Sequence, residues 1–348
     1  MQSIVDLRSK EFYQHSPEHL HLNCTAVEYD AEAKCPRWKQ FLEEIFESDK
    51  EFIKWIQVAS GYSVLGLTKE HCFFLCHGVG RNGKGTFLET IQYVLGDYGH
   101  KTNFETFLQK DKSSNVRAME AQGDLRGKRF VIASETNDGT KFDAARIKEL
   151  TGGDTLVGTK LYGSKFQFKP THTLWFACNH LPQIRDDTIA MWERVKTIPF
   201  NRMFLDDQQE KDLPEKLRNE AGGILKWLVD GAYEYCTNGL PATPTACCNA
   251  TQEYREINDK LLIFIRQYLI KERGSSVDAQ TVYQEYENWS NTKEVQGLNL
   301  NFINKRNFAT EIAKRGIAKK KTNKGVVFHG YRLCKSEEEK GDDGDAGK

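Results

Sequence analysis

The sequence predicts an α/β fold with a largely parallel sheet, followed by a smaller and mostly helical block. Two observations support this prediction. Between residues 66 and 205, short apolar runs alternate with helical patterns, which is typical of parallel strands covered by helices. After residue 250, three helical patterns precede one final strand. A chain of 348 residues is also long enough for two or three domains.

Residues 1–65 are predicted to form an N-terminal leader of strands and helices. Short alternating runs before residue 36 indicate a small strand-rich extension. Two amphipathic helices follow, because apolar residues recur at helical spacing from 38 to 58. Pro36 suits the first turn of the first helix. Asp49 suits the cap of the second helix, and Gly61 suits its end.

Residues 66–205 are predicted to form the α/β core. Its four apolar runs have the length of buried strands, and polar or helical stretches separate them. The predicted elements are a strand at 72–76, a helix at 84–95, a strand at 129–133, a helix at 143–150, and strands at 173–178 and 195–200.

The rest of the chain is predicted to hold a helical segment, a winged helix and a tail. Residues 206–250 contain a helix at 213–235 and a linker at 239–244. Residues 251–335 contain three helical patterns, a basic turn and a strand, which suggest a winged helix-turn-helix. The predicted elements are helices at 261–271, 279–289 and 305–315 and a strand at 326–329. Residues 336–348 are expected to be a disordered acidic tail.

The composition is that of a globular chain without a membrane segment. Lys and Arg number 49, Asp and Glu also number 49, and 39% of the residues are hydrophobic. The apolar run at 72–76 is far shorter than the roughly 20 residues that cross a bilayer. The N-terminus has no signal-peptide core, and the nine cysteines show no zinc spacing. We therefore expect a cytoplasmic protein with reduced thiols.

The strongest local signal is the glycine-rich segment 78–86, between a predicted strand and a predicted helix. In such a P-loop, backbone N–H groups and the helix N-terminus bind phosphates, and Lys84 can neutralise the β- and γ-phosphates. The hydroxyl that usually follows the lysine is displaced by one position, to Thr86. A tight turn without a ligand is the alternative. The predicted ATP-binding residues are Gly78, Gly80, Arg81, Asn82, Gly83, Lys84, Gly85 and Thr86.

Three further residues are candidates for ATP hydrolysis. Ser134 and Glu135 directly follow the strand at 129–133. Glu135 is a candidate general base and, together with Thr86, a candidate Mg²⁺ ligand. Asn179 follows the strand at 173–178 and could place its amide beside the γ-phosphate. Arg194 is a candidate arginine finger that acts on a neighbouring subunit. The alternatives are a solvated carboxylate, a turn residue and a surface salt bridge, respectively.

Together these stretches resemble the superfamily 3 helicases, AAA+ ATPases that form the C-terminal part of phage, plasmid and large-virus primase-helicases. The matching stretches run through about residues 20–205 in the family's order. Besides the P-loop they include residues 125–129, the Leu-Thr-Gly-Gly-Asp run at 150–154, the strand ending in Asn179, and Trp-Glu-Arg at 192–194. The C-terminal block resembles the winged-helix tail of these proteins.

The resemblance implies a DNA helicase that hydrolyses ATP with Mg²⁺ and translocates on single-stranded DNA, typically 3′ to 5′, as a ring that is usually hexameric. Each ATP site would lie between subunits, with Lys84, Glu135 and Asn179 on one and Arg194 on the other. The implied partners are single-stranded and forked DNA, further copies of the chain, and primase or polymerase modules, in a host cytoplasm. The chain is expected to be either a stand-alone helicase or a fragment of a longer primase-helicase.

Two DNA-contacting surfaces are predicted. The resemblance places a hairpin between residues 155 and 168, where Lys160 and Lys165 would meet phosphates and Tyr162 would stack on a base. In residues 299–335, ten basic residues and one acidic residue form the electrostatic footprint of a nucleic-acid surface. The alternative for the hairpin is an ordinary hairpin, and the alternatives for the basic block are a solvated basic face or a contact with an acidic partner. The predicted contacts of the basic block are Lys305, Arg306, Lys319, Lys320 and Lys321.

Two other functions stay open on the sequence. Nucleoside monophosphate kinases also carry Gly-Lys-Gly-Thr, although such a kinase has no evident use for Arg194 or the basic block. A replication initiator would bind DNA and use ATP only to organise a ring. Stimulation of ATP hydrolysis by single-stranded DNA favours the helicase, and turnover only with a nucleoside monophosphate favours the kinase.

Overall fold

The computed structural model describes residues 3–109, 115–135, 139–160, 163–184, 188–292, 295, 302–323 and 325–334. The chain divides into two compact units, Met1–Gln252 and Glu253–Lys348. Tyr162 of the predicted hairpin tip and the predicted tail at 336–348 lie outside the described residues. No helix in the described part of the chain is long and apolar enough to cross a membrane.

The first unit begins with a small β-ribbon and two helices. Strand β1 (Ser3–Val5) pairs antiparallel with β2 (Phe12–Gln14), which confirms the strand-rich extension. Helix α1 spans Pro36–Ile45 and α2 spans Lys50–Val64, with the Asp49 side chain accepting a hydrogen bond from the backbone N of Phe52.

The expectation that Gly61 ends α2 is wrong, since this helix continues to Val64. A Cβ atom at Gly61 would lie 2.1 Å from the backbone N of Ala232, in the helix Ala221–Asn238. The glycine therefore allows two helix backbones to pack closely and does not mark a helix end.

A five-stranded parallel sheet forms the centre of this unit. Its strand order is β4-β5-β8-β3-β9, and every neighbouring pair is parallel, as predicted. An antiparallel hairpin, β6 with β7, lies outside this sheet. The strands are β3 (Phe73–His77), β4 (Gly99–Lys101), β5 (Phe130–Ser134), β6 (Leu156–Thr159), β7 (Lys165–Phe168), β8 (Thr173–Cys178) and β9 (Val195–Pro199).

Helical segments contact both faces of the sheet. Trp55 of α2 packs on Phe74 on one face, and Phe107 of the 3-10 helix Phe104–Phe107 packs on Phe176 on the other. The helix predicted at 213–235 is two helices, and α4 and α9 were not predicted. The helices are α3 (Lys84–Val94), α4 (Asn115–Gly123), α5 (Ala144–Leu150), α6 (Ile189–Trp192), α7 (Leu213–Asn219), α8 (Ala221–Asn238) and α9 (Thr245–Ile257).

The core of the unit is strongly aromatic. On one face of the sheet, Trp175 stacks on Phe74 with ring centroids 4.2 Å apart. On the other face, Phe176 packs against Phe73 and Phe142 at 5.5 and 5.2 Å. All five side chains are at most 1% exposed, so strand positions are fixed by burial on both faces.

Among its described residues, the second unit has helices α10, α11 and α12 and an antiparallel sheet of order β10-β12-β11. The helix predicted at 261–271 is shorter, because residues from Leu269 onward pair with β12 as a strand. The elements are α10 (Lys260–Tyr268), β10 (Leu269–Asp278), α11 (Ala279–Ser290), α12 (Lys305–Lys314), β11 (Lys319–Thr322) and β12 (Gly325–Leu333). Phe264, Tyr286 and Phe308 are buried at its centre.

All nine cysteines are free, and five of them are buried. Burial raises the pKa of Cys72 to about 12, so this thiol stays protonated near neutral pH. In the described residues, no group of three or more His, Cys, Asp or Glu side chains could hold a metal.

Candidate nucleotide site and nucleic-acid interface

The loops at the carboxyl edge of the parallel sheet form the candidate nucleotide site. In the strand register, His77 of β3 lies opposite Cys178 of β8, and Ser134 of β5 lies opposite Ala177. The loops that carry Lys84, Glu135 and Asn179 therefore leave the sheet at the same edge.

The loop from residue 78 to 83 joins β3 to α3, and two of its glycines have no room for a side chain. A Cβ atom at Gly78 would lie 2.3 Å from the carbonyl oxygen of Phe200. Gly83 has φ +84°, and a Cβ there would lie 2.7 Å from Cγ2 of Ile45. The loop can keep this shape only with glycine at both positions.

Lys84 is the first residue of α3 and only 5% exposed. Its Nζ donates to the carbonyl of Gly78 at 2.5 Å and to Oδ1 of Asn82 at 3.0 Å. Burial lowers the pKa of this ammonium, and among the described residues no carboxylate lies within ion-pair distance. A buried cation held only by neutral acceptors attracts an anion such as a phosphate.

The two polar side chains of the loop contact residues outside it. Asn82 is buried and donates from Nδ2 to the carbonyl of Phe200 at 3.1 Å. Arg81 has φ +63° and forms a 2.6 Å ion pair with Asp206. Both partners of this ion pair are well exposed, so the pair does not prevent Arg81 from contacting a ligand.

Glu135 directly follows β5, and its carboxylate accepts hydrogen bonds that include those of Thr140, the backbone of His180 and the thiol of Cys178. Oγ1 of Thr140 donates to its Oε1 at 2.6 Å, and the backbone N of His180 donates to its Oε2 at 3.3 Å. Asn179, next to His180, is exposed after β8. No sequence signal pointed to Thr140 or to the backbone of His180, because both act through loop geometry.

Strand β8 lies between β3 and β5, so the P-loop strand and the strand before Glu135 are two strand spacings apart. Two spacings amount to about 10 Å. Lys84 and Glu135 thus follow strands that are separated by β8, and Asn179 directly follows β8.

Thr86 is half-buried in the first turn of α3, and Gly85 beside it is exposed. A Cβ atom at Gly85, or at Gly80 in the loop, would meet no atom within 4 Å. Unlike Gly78 and Gly83, these two glycines are therefore not required by packing.

Arg194 lies at the opposite edge of the sheet from Lys84, Glu135 and Asn179. Its carbonyl accepts a hydrogen bond from the backbone N of Phe73, at the amino end of β3. The length of β3, about 13 Å between its end residues, separates this position from the loop that carries Lys84. The guanidinium of Arg194 donates to the carbonyl of Ala190 at 2.5 Å, and its Nε has no acceptor among the described residues. The structure thus shows no salt bridge for Arg194 within the described residues.

The predicted hairpin is present as β6 and β7, with Lys160 and Lys165 exposed on either side of the turn. The backbone N of Gly163 donates to the carbonyl of Lys160 at 2.8 Å, which closes the turn. Two charged side chains at the tip are in a position to meet phosphates.

The basic residues of the second unit differ in their surroundings. Arg315 forms a 2.7 Å ion pair with Asp259, and its side chain is only 14% exposed. This residue therefore stabilises the fold of the unit. Lys319 is exposed and donates to Oγ1 of Thr310 at 2.9 Å. The predicted contacts Lys305, Arg306, Lys320 and Lys321 are exposed, at the first turn of α12 and along β11.

Two stretches of the chain match protein families. Residues 3–47 match the family described as D5 N terminal like. Residues 76–194 match a family of unknown function, DUF5906. The second stretch begins in β3 and contains the P-loop, Glu135 and Asn179.

The similar curated proteins are viral. The chain is 27% identical over 311 residues to "Putative helicase L207/L206" of Acanthamoeba polyphaga mimivirus, covering 82% of this chain and 32% of that protein. It is 26% identical over 255 residues to "Putative helicase V13" of Sputnik virophage, covering 69% and 32%. It is 23% identical over 278 residues to "Putative primase C962R" of African swine fever virus (isolate Warthog), covering 75% and 28%. The chain thus spans about a third of the length of these relatives.

Among solved structures, the apo C-terminal region of NrS-1 has a similar fold. Its A form aligns with a TM-score of 0.52 at 13% identity, covering 94% of this chain and 82% of that one. Another apo structure of the region gives a TM-score of 0.51, also at 13% identity, with 95% and 83% covered. The chain is therefore similar to viral proteins named as helicases and primases, and the solved structures share its mixed α/β fold around a parallel central sheet.

Proposed function

We propose that this chain is an ATP-driven DNA helicase motor of the superfamily 3, AAA+ type. The observation that carries the proposal is the arrangement of Lys84, Glu135 and Asn179 in loops at one edge of the sheet, with β8 between β3 and β5. The viral relatives named as helicases and primases support the same conclusion.

In this proposal, Lys84 binds the β- and γ-phosphates of ATP. Glu135 takes a proton from a water molecule, whose oxygen bonds to the γ-phosphorus as the bond to ADP breaks. The side-chain amide of Asn179 orients this water and the γ-phosphate.

The donor set fits a magnesium ion. Thr86 and Glu135 offer hard oxygen ligands, and Mg²⁺ usually needs only one or two protein ligands beside substrate phosphates and water. When bound, the ion would neutralise charge on the phosphate oxygens.

The DNA would be held at two places. Lys160 and Lys165 at the tip of the β6–β7 hairpin are suited to phosphates of single-stranded DNA. The second unit has the element order of a winged helix, with exposed Lys305 and Arg306 at the start of α12 and β11 and β12 as its wing. We expect contacts there to be mostly electrostatic.

The first test is ATP hydrolysis with and without single-stranded DNA. In the wild type, we expect DNA to stimulate turnover. Lys84→Ala should lower turnover by about 100-fold or more, because the phosphate charge loses its main counterpart. Lys69, which is exposed and lies outside the site, gives a matched lysine-to-alanine control that should keep turnover.

Three results would contradict the proposal. Persistent hydrolysis in Lys84→Ala would remove the P-loop assignment. Turnover that requires a nucleoside monophosphate would indicate a kinase. ATP binding and DNA binding without strand separation on a forked substrate would indicate an initiator that uses ATP only for assembly.

A further inference from the structure

We propose that Thr140 is a positioning residue for Glu135, which sets the orientation of the carboxylate that activates water. This inference rests on the proposed function, in which Glu135 is the general base. Oγ1 of Thr140 donates to Oε1 of Glu135 at 2.6 Å, the length of a charge-assisted O–H···O⁻ bond. The backbone bond from His180 to Oε2 is longer, at 3.3 Å, and is therefore the weaker of the two.

This difference between the two bonds gives the carboxylate a defined orientation. The short bond fixes Oε1, so rotation of the carboxylate about its last side-chain bond would break a strong interaction. Oε2 then faces the loop after β8, which carries Asn179 and His180. That loop holds the amide proposed to orient the attacking water, so Oε2 is the oxygen suited to take the proton.

Thr140 can hold Glu135 in place because its own backbone is fixed. Its carbonyl accepts a hydrogen bond from the backbone N of Gln183 at 2.8 Å, and the backbone N of Phe142 donates to the carbonyl of Gln183 at 3.0 Å. Phe142 is fully buried against the aromatic core of the sheet. The segment 140–142 and the loop after β8 are therefore joined into one support for both Glu135 and Asn179.

The test compares two substitutions of Thr140 that each change a single group of its side chain. Thr140→Val removes the hydroxyl and keeps the shape, and Thr140→Ser keeps the hydroxyl and removes a methyl group. We expect Thr140→Val to lower kcat of ATP hydrolysis by about 10- to 100-fold with little change in KM. Thr140→Ser should recover most of the activity. Binding of a non-hydrolysable ATP analogue and the melting temperature should stay close to wild type in both variants.

A double variant separates positioning from a general effect on folding. If Thr140 acts through Glu135, Thr140→Val should lower activity no further in a Glu135→Gln background. Wild-type kcat in Thr140→Val, or equal loss in Thr140→Ser, would overturn the inference. An additive loss in the double variant would also overturn it. Full hydrolysis in Glu135→Gln alone would instead refute the proposed function.

Discussion

At the scale of single residues, His172 is the buried titratable group with the clearest consequence for stability. It directly precedes β8 and is 2% exposed. Burial lowers its pKa to about 4, the nearby His100 acts in the same direction, and the backbone of Leu150 opposes the shift. Neither ring nitrogen makes a well-formed hydrogen bond within the described residues. The ring is therefore neutral in the folded protein at physiological pH.

We predict that His172 makes the protein less stable as the pH falls. The unfolded state takes up a proton near pH 6.5 and the folded state only near pH 4, so stability is lost between these values. The shift corresponds to about 3 kcal/mol in the free energy of unfolding. Denaturant unfolding at pH 7 and pH 4.5 measures the loss.

His172→Gln provides the comparison for this prediction, since its side chain is polar but does not titrate. The variant should lose less stability than the wild type between pH 7 and pH 4.5. An equal loss in both proteins would show that other groups cause the pH dependence.

At the scale of elements, the β6–β7 hairpin is attached to the rest of the first unit by a close backbone contact. A Cβ atom at Gly158 of β6 would lie 2.6 Å from Cα of Gly123, at the end of α4. The guanidinium of Arg126 lies 5.3 Å from the ring centre of Phe166 in β7. Residues 124–129 then lead directly into β5, which ends beside Glu135. The hairpin and the proposed catalytic base are thus connected by a short stretch of chain.

We therefore predict that Gly158→Ala uncouples DNA from ATP hydrolysis. The added methyl group must push the hairpin away from α4, since backbone atoms cannot yield. Basal hydrolysis should persist, while stimulation by single-stranded DNA and strand separation should fall at least about 10-fold. ATPase assays with and without DNA measure this directly.

Gly153→Ala is the matched control, because its Cβ would meet only Oγ1 of Thr68 at 3.8 Å, an ordinary contact. This variant should behave as wild type. If both glycine variants keep full DNA stimulation, the close contact has no role in coupling.

At the scale of the whole molecule, Arg194 and the P-loop lie at opposite ends of β3. An arginine finger at this position could act only on the site of another copy. In a head-to-tail ring, one edge of each subunit lies against the opposite edge of the next. An arginine finger that acts on a neighbouring copy requires this arrangement. This geometry supports the proposed action in trans.

Subunit mixing tests this prediction. Arg194→Ala and Glu135→Gln should each lose most hydrolysis, and Arg194→Ala should keep nearly normal ATP binding. In mixed rings, Glu135 of an Arg194→Ala subunit meets Arg194 of a Glu135→Gln neighbour, so hydrolysis should partly return. ATPase activity as a function of mixing ratio measures the effect. A strictly proportional, unrescued response would indicate that Arg194 does not act across an interface.

Much of the fold could be predicted from the sequence because its signals are local. Buried parallel strands are short apolar runs, and β3, β5, β8 and β9 lie within a residue or two of their predicted positions. The P-loop was recognisable from the spacing of its glycines and lysine. By contrast, the first three residues of β10 were predicted as the end of a helix at 261–271, and the rest of β10 was not predicted. Pairing with β12, which is distant in sequence, makes this segment a strand.

The sequence by itself predicted most strands of the parallel sheet and identified the glycine-rich loop as the candidate phosphate site, since periodicity and loop composition depend on neighbouring residues. The tertiary structure decided what distant residues do for one another. Glu220 caps α1 by accepting from the backbone N of Arg37 and Trp38 at 2.9 Å, although it is more than 180 residues away. Gly61 serves helix packing, and Thr140 holds Glu135. These roles depend on which surfaces meet in three dimensions, and no local pattern records that.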